Sequence, residues 1–268
     1  MHPYAKTNVQ LINQLRREAY SNEETALVIR AYELAIYLFT GLYQRSGQTQ
    51  ISHGVGTASI LASLHAPAEL VAAGLLHNVY GVGDFGDGRK AASTDSRRKL
   101  VRDTVDSKVE AYLYRFPELR GKFLTLLTSP DTIKTLNDSD RKVLLIILAD
   151  QLDLHLDYSR IYQLRDIGRA INYINLHGNA MVETAEKFGF PALADALRRV
   201  FKETISAEIP QVLLNQFSFA HNRIIAPKSY RKRFVVVIVR GCYRLRSALK
   251  LGTIFDFFMP AGARRKNI

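Results

Sequence analysis

The chain is poor in what would hold it together covalently or hold it in a membrane. Of 268 residues one is cysteine, Cys242, so no internal disulfide can form. That usage suits a reducing compartment. No stretch approaches the roughly 18 to 20 uninterrupted apolar residues of a spanning helix. Residues Met1 to Lys6 lack the apolar run of a signal peptide. Internal repeats and low-complexity tracts are also missing, which removes solenoids and disordered arrays. Strand signals are scarce: only Phe234 to Val239 has the β-branched density of a buried strand, and nothing is there to pair with it. A soluble cytoplasmic protein is the expectation.

Hydrophobic residues make up 47% of the chain, enough for a sizeable core. The net charge of +12 is unevenly placed. Between His221 and Ile268 there are twelve Lys or Arg and one acid, Asp256, which leaves 25 basic against 24 acidic residues elsewhere. Basicity therefore belongs to the tail, and the overall charge is no argument that the body binds nucleic acid.

The body reads as helical. Ser21 with Glu24 three residues on has the form of a capping box, opening a run from Thr25 to Tyr43 with Leu27, Ala31, Leu34 and Leu38 at helical spacing, broken at Ser46-Gly47. A second apolar run starts at His53 and ends near Pro67, and a short one spans Ala68 to His77. Four glycines between 81 and 88 mark a loop, Gly81 to Lys90. Helical spacing returns over Asp95 to Phe116, Ser139 to Tyr158, Ile161 to His177 and Pro191 to Ile209. The expected architecture is all-α, with a helical domain over about residues 15–205 and a basic, partly apolar extension over 206–268.

Two histidines and an aspartate stand out. His53 begins one helix and His77 ends the next, 24 positions on, and an antiparallel helix pair brings such ends together. Asp150 follows Leu144-Leu145-Ile146-Ile147-Leu148-Ala149, so its carboxylate falls in or beside the core and needs a partner. A divalent metal is one such partner, since imidazole and carboxylate suit Zn, Mn or Fe. Arg141, Arg160 or Arg165 are others. His155, five residues beyond Asp150, is slightly off its face. His65 and His177 read as helix-end residues, and His2 and His221 carry no signal.

The words around the triplet resemble those of the HD-domain superfamily, and within it the hydrolase domain of the RelA/SpoT stringent-response enzymes. Ser46-Gly47-Gln48-Thr49-Gln50-Ile51-Ser52-His53 is similar to the family's Ser-Gly-Glu-Pro-Tyr-Ile-x-His, Ala72-Ala73-Gly74-Leu75-Leu76-His77-Asn78 to Ala-Ala-Leu-Leu-His-Asp, and Leu148-Ala149-Asp150-Gln151-Leu152 to Leu-Ala-Asp-Arg-Leu. The resemblance covers Ala31 to about Leu154. It implies an HD-type helical bundle with a divalent metal, usually manganese, held by His53, His77, Asn78 and Asp150. It also implies a phosphohydrolase that removes pyrophosphate from the 3′ position of (p)ppGpp, or that acts on another phosphorylated nucleotide or small molecule. Arg45, Ser46 and Gln151 stand at or beside its substrate-contacting positions.

The departures are specific. Position 78 is Asn where the family has Asp, and the family's Glu-Asp pair falls on Gly81 and Val82. Asp84, with Asp87 behind it, is the nearest replacement as catalytic carboxylate. Gln44 stands at the family's nucleotide-contacting Arg. A degenerate domain that binds a nucleotide or a partner without turnover is the alternative. In the tail, Arg231, Arg240, Arg244 and Arg246 interleave with Tyr243, Leu245 and the Phe255-Phe257-Phe258 patch. Over 223–268 that pattern fits a helix packed on the body, an anionic membrane surface or a nucleic acid.

Overall fold

The computed structural model describes residues 4–214 apart from 88, 90, 129–135 and 165–166. The strand-like segment at 234–239 and the surface at 223–268 lie outside the described residues. Within them the fold is all-α, without a strand; a single bridge joins Tyr43 and Thr49. No helix among them is long and apolar enough to cross a membrane.

Helix α1 (Asn8–Arg17) and α2 (Asn22–Phe39) both begin with capping boxes, Thr7 with Gln10 and Ser21 with Glu24, each satisfying otherwise orphaned backbone donors. α2 stops before the expected break at Ser46-Gly47. Thr40 turns out of the helix, and its hydroxyl donates to the Ile36 carbonyl at 2.6 Å. α3 (Gln50–Ser63) starts ahead of His53 because Thr49 caps it, accepting from Ser52 N–H at 3.0 Å. α4 (Ala68–Leu76) ends on His77 as its C-cap, and a single turn, α5 (Val79–Val82), takes up Gly81 and Val82, which were expected to open the loop.

The expected run from Asp95 to Phe116 is two helices, α6 (Asp95–Thr104) and α7 (Ser107–Leu127). Asp106 restarts the second by accepting from the N–H groups of Lys108 and Val109 at 2.7 and 3.1 Å. α7 then runs straight through Pro117. The lost backbone donor is outweighed by a buried stripe, Leu113, Phe116, Leu119 and Phe123, continuing on both sides. α8 (Asp138–His155) follows, then α9 (Ser159–Leu164), α10 (Ile167–Lys187) and α11 (Pro191–Ile205). His177 sits inside α10 and not at a helix end, whereas His65 does close α3, exposed and with a positive φ of 51°.

α8 is the axis. Every residue from Val143 to His155 is buried, so the helix is apolar all round apart from Asp150, Gln151, Asp153 and His155. It packs against α3, α4 and α7 and against α10 and α11. α3 and α4 lie unusually close: a Cβ at Gly54 would collide with the Leu75 carbonyl, so only glycine permits the approach. The core also starts earlier than residue 15, since Ala5 and Leu11 are buried in it.

Candidate metal centre

Three elements deliver the site. α3 presents His53 near its start, the end of α4 presents His77, and α8 presents Asp150. All three are buried, at 1%, 3% and 4% exposure. Their ligand atoms form a nearly equilateral triangle. His53 Nε2 lies 3.1 Å from His77 Nε2 and 3.1 Å from Asp150 Oδ1, and His77 Nε2 lies 3.3 Å from the same oxygen. Ligands about 2.1 Å from an ion stand about 3.0 Å apart in an octahedron and about 3.4 Å apart in a tetrahedron. The triangle falls between these values, and among the described residues it is the group able to hold a metal ion.

Partners on the far side of each ring fix its orientation. His77 Nδ1 donates to the Gly74 carbonyl at 2.7 Å, one turn back along α4. His53 Nδ1 donates to Asp153 Oδ2 at 2.7 Å. With both Nδ1 atoms engaged as donors, both Nε2 lone pairs face the centre, the arrangement a metal-binding histidine requires. The Phe116 ring stands 5.2 Å from His77 as an apolar wall.

The electrostatics agree with a site for positive charge. Asp150 is deeply buried, which opposes ionisation, yet the imidazoles of His53 and His77 against it and the nearby Arg120 cation hold its carboxyl well below the usual range. Burial also opposes a charge on His53, but Asp150 and Asp153 on either side raise its pKa to about 9. Two acceptor nitrogens and a carboxylate about 3 Å apart repel one another unless something cationic lies between them. A proton on His53 is the minimal answer, and a divalent ion is the other.

The remaining expected residues separate. Asn78 reaches the rim: its side-chain nitrogen is placed 2.9 Å from His77 Nε2, and the amide is half-buried. Which end of that amide faces the centre is set by the group bound there. Gln151 does not open toward a substrate. It is fully buried, donates from Nε2 to Asp150 Oδ2 at 3.0 Å and accepts from the Tyr173 hydroxyl at 2.9 Å, so it braces the carboxylate. Arg45 is exposed on the turn before α3, and Ser46 accepts from Gln48 N–H at 3.4 Å within the same turn. Asp84 is exposed and accepts from Gly86 N–H at 3.2 Å, the geometry of an Asx turn. Asp87 is taken by Arg97.

The arginine beside Asp150 is Arg120, with Nε 3.7 Å from Oδ2, which the sequence reading did not anticipate. His155 serves packing instead of the site: it stands edge-on to Phe201 and parallel to Tyr173, and burial together with Arg160 lowers its pKa to about 3. The supporting carboxylate is Asp153, one turn beyond Asp150. The signal for it was available, because residues three apart on one helix share a face.

A family model described as a domain of unknown function (DUF6817) matches residues 37–120. The matched stretch includes His53, His77 and Asn78 and ends before Asp150. No curated protein matches the chain.

Proposed function

We propose that the protein is a metal-dependent phosphohydrolase of the HD type, acting on a phosphorylated nucleotide or a related small molecule. The observation that carries this reading is the convergence of His53 Nε2, His77 Nε2 and Asp150 Oδ1 within 3.1–3.3 Å of one another. Manganese is the favoured ion, with iron or zinc as alternatives. A divalent ion held there would supply Lewis acidity toward a phosphoryl oxygen and lower the pKa of a ligated water. The chain's own residues do the rest. The imidazoles donate neutral nitrogen, Asp150 brings negative charge, Gln151 and Asp153 hold carboxylate and ring in place, and Phe116 excludes water from one side. Arg120, about one-third exposed beside Asp150, offers a cation toward an anionic substrate.

A second reading has its own support. Residue 78 is an uncharged amide, and positions 81 and 82 carry no acid. A pocket so short of carboxylates suits a domain that binds a nucleotide without turning it over. Metal content and activity separate the two. The hydrolase reading expects near-stoichiometric Mn, Fe or Zn in purified protein, lost in His77→Ala, with phosphate or pyrophosphate release from nucleotides in added Mn. Protein that takes up no metal and releases nothing refutes it. Thermal stabilisation by a nucleotide without product supports the second reading.

A further inference from the structure

Asp153 is held from both sides. One oxygen accepts from His53 Nδ1 at 2.7 Å. The other accepts from the Lys6 ammonium at 2.5 Å, across 147 residues of sequence. The Asp153 side chain has no exposure at all, and Lys6 retains 30%. A carboxylate that buried is costly to ionise without a compensating cation, and Lys6 reaches it from outside the core. The segment carrying Lys6 is pinned independently. Ala5 N–H donates to Ser59 Oγ on α3 at 2.7 Å, and Lys6 N–H donates to Gln10 Oε1 on α1 at 2.8 Å. Room for the pair comes from Gly56, one turn along α3 from His53: a Cβ there would overlap Asp153 Oδ1 and press on Lys6 Nζ. Three separate features, an anchored strap, a glycine gap and a long-range ion pair, thus serve one carboxylate whose other oxygen orients His53.

We propose that Lys6 is a positioning residue of the metal centre: it fixes the Asp153 carboxylate, which fixes the nitrogen that His53 turns toward the ion. The proposal rests on the metal reading above, but its first half concerns the protein without an ion. Exposed ion pairs are usually worth little because solvent screens them. This one is not screened at the carboxylate end, and its loss is felt at His53 before it is felt in the fold.

The test compares wild type with Lys6→Met, which keeps the aliphatic stem, and Lys6→Arg, which keeps the charge. Two readouts are taken on the full chain. The first is the His53 Nδ1–H proton resonance in metal-free, ¹⁵N-histidine-labelled protein, assigned by its loss in His53→Gln. It should be sharp and downfield in wild type, broadened or lost in Lys6→Met, and recovered in Lys6→Arg. The second is Mn²⁺ affinity by chelator competition, which should fall about tenfold to a hundredfold in Lys6→Met, the range for losing a ligand's orienting partner. A Lys6→Met protein with a lowered melting temperature but an unchanged resonance and unchanged Mn²⁺ affinity would overturn the proposal in favour of a purely structural salt bridge. If wild type binds no Mn²⁺, the metal reading fails by itself. The resonance then decides alone whether Lys6 orients His53.

Discussion

Asn78→Asp should move the protein in opposite directions with and without metal. The Asn78 side-chain nitrogen and Asp150 Oδ1 lie 2.9 and 3.3 Å from the same atom, His77 Nε2, so the two heads are at most about 6 Å apart. A second carboxylate at residue 78 would face Asp150 across that gap. At an effective dielectric of about 20 the repulsion is about 3 kcal/mol at the largest separation. Asn78 is half-buried, so solvent, together with the His53 proton beside Asp150, reduces this to roughly 1–2 kcal/mol. A body of this size loses about 2–4 °C per kcal/mol, which puts the metal-free melting temperature several degrees below wild type. Added Mn²⁺ reverses the order. The new oxygen reaches ligand distance and brings the charge that the amide lacks, and Mn²⁺ affinity should rise at least tenfold, about 1.4 kcal/mol. Calorimetry or scanning fluorimetry with chelator and with saturating Mn²⁺ reads both effects. A variant that melts at the wild-type temperature in chelator and binds Mn²⁺ no more tightly would refute the placement of residue 78 at the ligand rim.

Further outcomes are expected at two sites. Because His53 must lose its proton to accept an ion, and its metal-free pKa is raised to about 9, Mn²⁺ affinity should climb up to tenfold per pH unit below pH 9 and level off above it. The raised pKa also stabilises the metal-free fold fully below the ordinary value of 6.5, and that contribution fades as pH rises toward 9; an affinity flat between pH 6.5 and 8.5 would contradict this. At the α5–α7 junction, Glu110 is 2% exposed and accepts from Arg98 at 2.7 and 3.0 Å and from the Tyr80 hydroxyl at 3.0 Å. Glu110→Gln should cost about 3–4 kcal/mol in urea unfolding, the lower part of the range for a broken buried pair because Arg98, and Arg102 at 3.4 Å, keep solvent. Burial works against the Glu110 charge, but Arg98 and Tyr80 lower its pKa, so wild type should lose this stabilisation as pH falls below about 4.5 and Glu110→Gln should not.

What the sequence made legible was local. The Ser21–Glu24 capping box and the buried run around Ile147 follow from spacing and burial, the triplet His53, His77 and Asp150 from short words that resemble those of a known family, and each stands where expected. What it hid depended on distant parts of the chain. The helical spacing was expected to end at Phe116, yet α7 continues through Pro117 with Phe116 and Phe123 packed in the core on either side. α1 gave no distinct signal, and neither did Lys6, whose carboxylate partner lies 147 residues away. The supporting role belongs to Asp153 and not to His155, because five-residue spacing from Asp150 turns a side chain off the face that three-residue spacing keeps. Gln151, read as a substrate contact, is covered by Tyr173, which comes from α10 and cannot be anticipated from the motif.

The glycine contact between α3 and α4 sets how far apart His53 and His77 can move. Gly54 adjoins His53, and the carbonyl it meets belongs to Leu75, two residues before His77. Backbone rests on backbone there, with no flexible side chain between to take up a change. That contact limits how far the backbones behind the two Nε2 atoms, 3.1 Å apart here, can separate. Ions with bonds of about 2.0–2.2 Å match that spacing better than calcium, whose bonds of about 2.3–2.6 Å and preference for oxygen suit it less. If the triplet holds an ion, the helix crossing would thus bear on its size as well as on the ligands.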